Sequence, residues 1–172
     1  MADTGERRDW RKIALITVPA IVLAGSTSGW LSNSGYGNDW FDALVKPGFM
    51  PPGWMFGVAW TTLYILMGVA LALILAEPPS NRRRLALILF AAQLALNFAW
   101  SPIFFGGHDI RLGQIAIFAM LVLAAAAAAL FRGIRPLAGW LLLPYLLWLC
   151  FAASLNTAID RLNPGAGTSL LG

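Results

Sequence analysis

The stretch KPGFMPPGWMFGVAWTTLY, Lys46–Tyr64, decides the fold of this chain. It holds three prolines, three glycines and five aromatic residues within nineteen positions. Pro51 and Pro52 remove two backbone N–H donors, so the first part can be neither a regular helix nor a central strand. From Trp54 onward the run is apolar and uninterrupted, which predicts the beginning of a long helix. A stiff aromatic segment is therefore expected to lead directly into an apolar helix.

That helix is predicted to carry an aromatic stripe on its inner face, formed by Phe56, Trp60 and Tyr64 at i, i+4 and i+8. Tryptophan and tyrosine also gather at membrane–water interfaces. Trp54 fits such an interfacial position as well as it fits a binding site. Trp60 lies about 9 Å of helix rise deeper, which favours an interior position.

The composition predicts an all-α integral membrane protein. The chain is 59% hydrophobic with a mean hydropathy of +0.70, and charged residues make up only 12%. The charges are clustered and leave five charge-free stretches, each long enough for a spanning helix of about 20 residues. These stretches are Ile13–Asn38, Pro47–Ala76, Leu85–Gly107, Leu112–Phe131 and Pro136–Ile159. We expect a five-helix bundle with a long Pro/Trp-rich loop between the first two helices.

The distribution of basic residues predicts the orientation. Nine of the twelve fall on the side of the N-terminus, in the leader and in the second and fourth connections. Lys46, Arg111 and Arg161 fall on the other side. The positive-inside rule then places the N-terminus in the cytoplasm and the C-terminus outside. The net charge of +4 therefore indicates topology, and no basic surface is left for nucleic acid.

Cysteine, histidine and acidic residues limit the possible chemistry. The single cysteine, Cys150, and the single histidine, His108, allow no intrachain disulfide and no zinc or iron–sulfur site. No ionisable Asp, Glu, Lys, Arg or His lies inside a predicted span, which argues against a proton-coupled transporter. No nucleophile–base pair of the ordinary enzymatic kind is found. No metal and no required cofactor are expected.

The chain divides into a cytoplasmic leader (1–12), a single five-helix membrane domain (13–163) and a flexible tail (164–172). Trp40 belongs to a short helical turn that is predicted within the connection between the first two spans. Long connections such as this one often act as lids or binding loops. Whether the N-terminal segment is processed is left open.

The third span has two distinct faces. Gln93 and Asn97 carry amides that are costly in lipid, so they should face the bundle interior or a cavity. A stripe of small residues on another face predicts close helix–helix contact, within the bundle or between protomers. We hypothesise that this stripe, Ala91, Ala95 and Ala99, forms a homodimer contact.

Motifs on four segments carry a resemblance to a known family. They are Lys46-Pro47, Pro51-Pro52-Gly53-Trp54, Trp60-Thr61-x-Leu63-Tyr64, Asn97-x-x-Trp100-Ser101-Pro102-x-Phe104-Phe105, Pro144-Tyr145-x-x-Trp148 and Leu155-Asn156. In this order they resemble the TspO/MBR family, the tryptophan-rich sensory protein and translocator protein (peripheral-type benzodiazepine receptor) group. The resemblance implies a five-helix bundle, usually a homodimer, with a cavity for porphyrins and benzodiazepine-type ligands.

The resemblance also implies the site residues. The ligand-binding positions would be Trp40, Trp54, Trp60, Asn97, Trp100, Tyr145, Trp148 and Ala152, with Trp40 and Trp54 in the lid. Phe49 stands where the family usually has Trp, and Phe41 where it often has Tyr, which weakens hydrogen bonding in the lid. The sterol motif that follows Leu155 lacks its tyrosine, which weakens the case for sterol binding.

The residues themselves indicate a binder of flat, amphiphilic molecules. Trp60, Trp100 and Trp148 offer broad aromatic faces, although they would also serve simply to pack the bundle. A cationic rim of Lys46, Arg111 and Arg161 is predicted to attract porphyrin propionates. The expected function is a receptor or translocator-type protein for porphyrin or haem, regulating tetrapyrrole transport or stress signalling. The alternative is a light- and oxygen-dependent porphyrin-degrading enzyme, with Trp60 and Trp148 as catalytic candidates.

Overall fold

The computed structural model describes residues 8–167, and all of the regular structure within that range is helical. Seven α-helices and one π-helical segment follow one another along the chain. They are α1 (Trp10–Leu31), α2 (Asp39–Ala43), α3 (Gly53–Leu75), α4 (Asn81–Ser101), the π-helical segment (Pro102–Gly106), α5 (Ile110–Ile134), α6 (Pro136–Leu141) and α7 (Leu143–Leu162).

Five helical stretches of the described chain are long and apolar enough to cross a membrane. They are Trp10–Leu31, Gly53–Leu75, Asn81–Gly106, Ile110–Ile134 and Pro136–Leu162. The predicted all-α, five-span membrane fold is confirmed. The first helix begins at Trp10, so the last three residues of the predicted leader are helical. Leader residues 1–7 and tail residues 168–172 lie outside the described part of the chain.

Two spans are less regular than the sequence predicts. The fifth is divided at Leu142 into α6 and α7, because Pro144 lacks the N–H that would continue the ladder of α6. The third ends in the π-helical segment, which begins at Pro102. π-Helical turns of this kind are frequent at functional sites. Both irregularities involve a proline.

Side chains close the helix ends. The Asp9, Asn38, Ser80 and Asp109 side chains accept backbone N–H bonds at the beginnings of α1, α2, α4 and α5. At the end of α3, Arg83 donates through Nε to the carbonyl of Ile74 at 2.9 Å and through Nη2 to that of Leu75 at 3.0 Å. These bonds satisfy carbonyls that the helix itself leaves unpaired.

The beginning of α1 and two helix connections meet at one end of the bundle. The Arg8 backbone N–H donates to the Ala76 carbonyl at 3.1 Å, which joins the beginning of α1 to the end of α3. The Arg135 guanidinium and the Glu77 carboxylate form an ion pair at 3.2 Å, which joins the α5–α6 connection to the α3–α4 connection. The basic clusters that follow α3 and α5 therefore share this end with the beginning of α1. We call it the basic end. The opposite end carries the connection between α1 and α3, and we call it the lid end.

Candidate ligand-binding cavity

A cavity of about 650 Å³ lies in the lid half of the bundle. Its walls come from α1, α3, α4 with the π-helical segment, α5 and α7, and residues 33–50 contribute to its cover. The predicted aromatic stripe of α3, Phe56, Trp60 and Tyr64, lines one side. Five of the predicted site residues also line it: Trp60, Asn97, Trp100, Trp148 and Ala152. The motifs of three separate spans thus converge on one site.

Trp60 and Trp148 form a single wall. Their ring centroids are 6.1 Å apart and the rings meet edge to face at 78°. Phe56 extends this wall, with its ring centroid 5.9 Å from that of Trp148. The two indoles therefore contact each other, and both line the cavity.

Trp100 belongs to a second wall and is held in two ways. Its ring stacks on Phe104 with centroids 4.9 Å apart and planes at 15°. Its Nε1–H donates to the Gly113 carbonyl at 3.1 Å. One face and the only polar atom of this indole are already occupied, so it offers a ligand an apolar surface.

A chain of hydrogen bonds crosses the floor of the cavity and joins four helices. The Tyr64 hydroxyl donates to Asn97 Oδ1 at 3.1 Å. Asn97 Nδ2 donates to the Tyr145 hydroxyl at 3.2 Å, and that hydroxyl lies 3.8 Å from the sulfur of Met120. Asn97 is buried at 5% exposure, as an intramembrane amide with two partners should be. Tyr145 lies behind the floor and positions Asn97, whereas Asn97 itself lines the cavity.

The second predicted amide, Gln93, is also buried, with 1% exposure, but it does not line the cavity. Its Nε2 lies 4.0 Å from the sulfur of Met67, and its Oε1 has no protein partner. Gln93 therefore faces the bundle interior and belongs to the packing of α4.

The cover of the cavity is built around α2. Phe41 lines the cavity from α2, and Tyr36 and Met50 line it from either side of that helix. The ring of Tyr36 meets that of Phe41 edge to face at 5.7 Å, and its hydroxyl donates to the Pro51 carbonyl at 3.3 Å. We call residues 36–50 the lid.

Lys46 belongs to the structure of the lid. Its ammonium donates to the carbonyls of Phe41, Asp42 and Leu44 at 2.8, 3.2 and 3.2 Å, which caps the end of α2. It also lies 4.7 Å from the ring centroid of Phe41. Lys46 is therefore already engaged and does not serve the predicted cationic rim. Arg111 pairs with Asp160 at 4.0 Å, and both side chains are exposed.

The two predicted lid tryptophans do not line the cavity. Trp40 lies behind the cavity wall, edge to face with Phe104 and stacked on His108 with centroids 4.6 Å apart. Its Nε1–H donates to the Ala166 carbonyl at 3.0 Å. Trp54 is 70% exposed at the beginning of α3, where it fits the interfacial alternative.

Sequence reasoning missed the contribution of α1. Gly25, Ser26 and Gly29 line the cavity, and a methyl group at Gly25 would overlap the ring of Tyr64. Small residues at i and i+4 are a signal for close approach between membrane helices, and this one was available in the sequence. Tyr36 was missed because nothing in its local sequence predicts that the chain turns back over the cavity.

The residues around the cavity do not form a metal site. Among residues 8–167, no three His, Cys, Asp or Glu side chains come together as metal ligands. His108, in a backbone conformation with φ of 55°, is covered on one face by Trp40. The arrangement can bind an organic molecule through aromatic surfaces and a few fixed polar groups, as small-molecule sites do.

A five-span helical membrane protein with an aromatic-walled cavity beneath a short lid helix is the class that this fold and site define. Residues 16–162 match the TspO/MBR family, and the chain belongs to that family. It is 37% identical over 147 residues to Protein CrtK of Rhodobacter capsulatus, covering 85% of this chain and 89% of that protein. It is 39% identical over 155 residues to the translocator protein of Sus scrofa, covering 86% and 92%. The tryptophan-rich sensory protein of Cereibacter sphaeroides is 37% identical over 155 residues, covering 90% and 93%. The chain is thus an integral multi-pass membrane protein of the translocator type.

Proposed function

We propose that this protein binds porphyrins and related flat hydrophobic ligands in the cavity, and that binding regulates tetrapyrrole transport or stress signalling. The observation that carries the proposal is the cavity itself, at about 650 Å³ with aromatic walls and a small polar floor. Its volume falls within the range of about 300–1,000 Å³ that is usual for small-molecule sites. Names borne by the relatives, translocator protein and tryptophan-rich sensory protein, agree with such a role.

The walls suit a flat, weakly polar molecule. Trp60 and Trp148 present two indoles at 78° to each other, so a flat molecule can stack on one and meet the other at its edge, and Trp100 presents a further ring whose indole N–H is already bonded. Aromatic stacking contributes about 0.5–1.5 kcal/mol per pair beyond area burial. The floor gives orientation, because Asn97 keeps one amide N–H beyond its bond to Tyr145. Of the predicted rim, Arg111 is paired with Asp160, and the exposed Arg161 at the lid end is left to attract ligand carboxylates.

The proposal is tested by titrating the purified protein with protoporphyrin IX in the dark, following tryptophan fluorescence. Trp60→Ala and Trp148→Ala should weaken binding, because each removes part of the wall. Trp140→Ala is the matched control, since Trp140 is 54% exposed and does not line the cavity. Wild-type protein that fails to bind, or lining variants that bind as well as the control, would contradict the proposal.

The second candidate is an enzyme that degrades porphyrins with light and molecular oxygen. The observation that favours it is the direct contact between Trp60 and Trp148. Indole is an easily oxidised side chain, and two adjacent indoles would lie beside the bound pigment. It is tested by illuminating the protein–porphyrin complex in air and analysing the products. Breakdown at the rate of free porphyrin would leave binding alone as the function.

A further inference from the structure

We propose that ligands enter and leave this cavity sideways, from the lipid of the leaflet at the lid end, through a gap between α1 and α3. The gap is bordered by Ser26 and Gly29 on α1 and by Gly57 and Thr61 on α3, and we call it the lateral gap. The proposal rests on the proposed function, because it concerns the same cavity. It restricts the ligands to molecules that dissolve in the bilayer.

α1 and α3 are in close contact towards the basic end. A methyl group at Gly68 would lie 2.6 Å from the Cα of Val18, so the two backbones approach as closely as a glycine permits. The Thr17 hydroxyl donates to the Gly68 carbonyl at 2.8 Å. Nearer the middle of the bundle, Gly25 touches the ring of Tyr64. Nothing can pass between the helices along this half.

Towards the lid end the glycines of the two helices have open space beside them. A methyl group at Gly57 would meet no atom within 4 Å, and one at Gly29 would meet only the side chain of Ser34, at 3.9 Å. Gly57 is seven residues from Tyr64 on α3, which corresponds to about 10 Å of separation along the helix. The open length is therefore sufficient for the edge of a flat ring system.

The residues along this length belong to the cavity and to the outer surface at once. Ser26, Gly57 and Thr61 line the cavity and are also exposed, as residues at an opening of the cavity would be. None of them is charged or large, so an apolar molecule could pass between them without removing a charge from water. Trp30, next to Gly29, also lines the cavity and is 79% exposed. The gap faces the membrane, because it lies within two of the five spans.

The lid, by contrast, is fastened at its back. Asn163, just beyond α7, accepts from the Val45 N–H at 2.8 Å and donates to the Val45 carbonyl at 2.9 Å. The bond from Trp40 to Ala166 adds a second attachment to the C-terminal segment. Lifting the lid would break these bonds together, whereas the lateral gap requires no bond to break.

The test measures exchange rates on full-length protein in nanodiscs, with protoporphyrin IX supplied from lipid vesicles. Gly57→Phe should fill the gap and slow association and dissociation alike, by about tenfold or more, whereas a mere loss of affinity would speed dissociation. Thr61→Phe fills the same gap from the next helical turn and serves as a second variant. Val58→Phe is the matched control, because Val58 is 58% exposed on α3 but does not line the cavity.

The competing route through the lid is tested with Asn163→Ala, which removes both bonds to Val45. Rates close to those of the wild type are expected. The lateral route is overturned if Asn163→Ala accelerates exchange severalfold, or if the two gap-filling variants exchange as fast as Val58→Phe.

A second probe separates this proposal from the proposed function. A bromoalkane dissolved in the bilayer quenches tryptophan fluorescence on contact and needs no porphyrin recognition. Its quenching of the cavity tryptophans Trp60, Trp100 and Trp148 should fall in Gly57→Phe and persist in Val58→Phe. Equal quenching in both variants would refute the lateral gap. If the protein does not bind porphyrin but the two variants still differ in quenching, the porphyrin function is refuted and the lateral gap is not.

Discussion

Gly25 and Gly29 lie one helical turn apart on α1, yet only Gly25 has to be a glycine. A side chain at Gly25 would overlap the ring of Tyr64, whereas a methyl group at Gly29 meets nothing closer than 3.9 Å. Tyr64 in turn donates to Asn97 on the cavity floor. The space at Gly25 therefore controls the position of a hydrogen bond on another helix.

Gly25→Ala should consequently destabilise the protein, since overpacking costs about 1–3 kcal/mol and exceeds the gain of up to about 1 kcal/mol in helix propensity. Gly29→Ala receives the same propensity gain without the overlap and should be neutral or slightly stabilising. Thermal unfolding in detergent measures both. Equal unfolding temperatures for the two variants would mean that Tyr64 relaxes without cost.

The contact between Trp60 and Trp148 predicts that their contributions to binding are coupled. Each Trp→Phe change keeps an aromatic ring, so porphyrin affinity should fall by about 1 kcal/mol, less than tenfold. The double variant should depart from the sum of the two losses by at least about 0.5 kcal/mol, as residues in contact usually do. Fluorescence titration of the four proteins completes the cycle, and strict additivity would contradict a shared wall.

The same single variants separate binding from chemistry. Light-driven breakdown that depends on indole oxidation should fall far more steeply than affinity in Trp60→Phe and Trp148→Phe. Turnover under illumination and dark affinity are measured on identical samples. Equal, small losses in both quantities would favour a passive binding site.

For single residues, the sequence predicted those whose position is restricted by the cost of polar groups in lipid or by their depth in a span. Asn97 is costly in lipid and Trp60 is deep in a span, so both could be assigned to the interior. Trp54 could not be assigned, because an interfacial tryptophan and a lid tryptophan look alike in sequence. Tyr145 is buried behind Asn97 because of how α7 packs within the bundle, which no sequence pattern encodes.

At the scale of the elements, α4 presents a smooth outer face. Ala91 and Ala95 are exposed and Ala99 is half-buried, so the small-residue stripe faces away from the bundle. Gln93 and Asn97 face inward from the same helix. The homodimer contact through this stripe stays a prediction, and the geometry leaves the surface free for it.

Ala95→Phe should shift detergent-solubilised protein towards the monomer, because a large ring prevents close approach of two α4 backbones. Val122→Phe is the matched control, since Val122 is 69% exposed on α5, away from the stripe. Light scattering coupled to size-exclusion chromatography gives the mass of the protein. An unchanged mass would exclude this stripe as the interface.

Hydropathy predicts where the spanning helices lie, but not where a helix is interrupted or becomes π-helical. The break at Leu142 follows from Pro144, which the sequence displays, yet neighbouring groups decide how a helix accommodates a proline. The π-helical segment brings both Phe104 and Phe105 to the cavity, and that outcome depends on packing against α2 and α5. Such local departures come from tertiary contacts that a linear pattern does not contain.

At the scale of the whole molecule, the two ends differ in charge. The described basic residues Arg8, Arg11 and Lys12 share the basic end with Arg82–Arg84 and with Arg132 and Arg135. The positive-inside rule then predicts that this end faces the cytoplasm and that the lid faces outward. The sequence alone suffices for this prediction, because it depends on charge counts and the number of spans.

A reporter that is active only in the cytoplasm, fused after Gly172, should therefore be silent. The same reporter fused at Met1 should be active and controls for expression. Strong activity of the C-terminal fusion would reverse the predicted orientation.

The pair of bonds between Asn163 and Val45 joins residues that are 118 positions apart. A ribosome completes the first connection long before it reaches α7, and membrane chains assemble largely in the order in which they are made. The bonds that join the lid to Asn163 therefore cannot form until α7 has been made, and before that the lid has only its contacts with earlier residues such as Phe104 and Phe105. A nascent chain halted before Asn163 would hold the cavity tryptophans Trp60, Trp100 and Trp148 and still lack the bonds that fasten the lid to the end of α7, so the cavity would be built before its cover is secured.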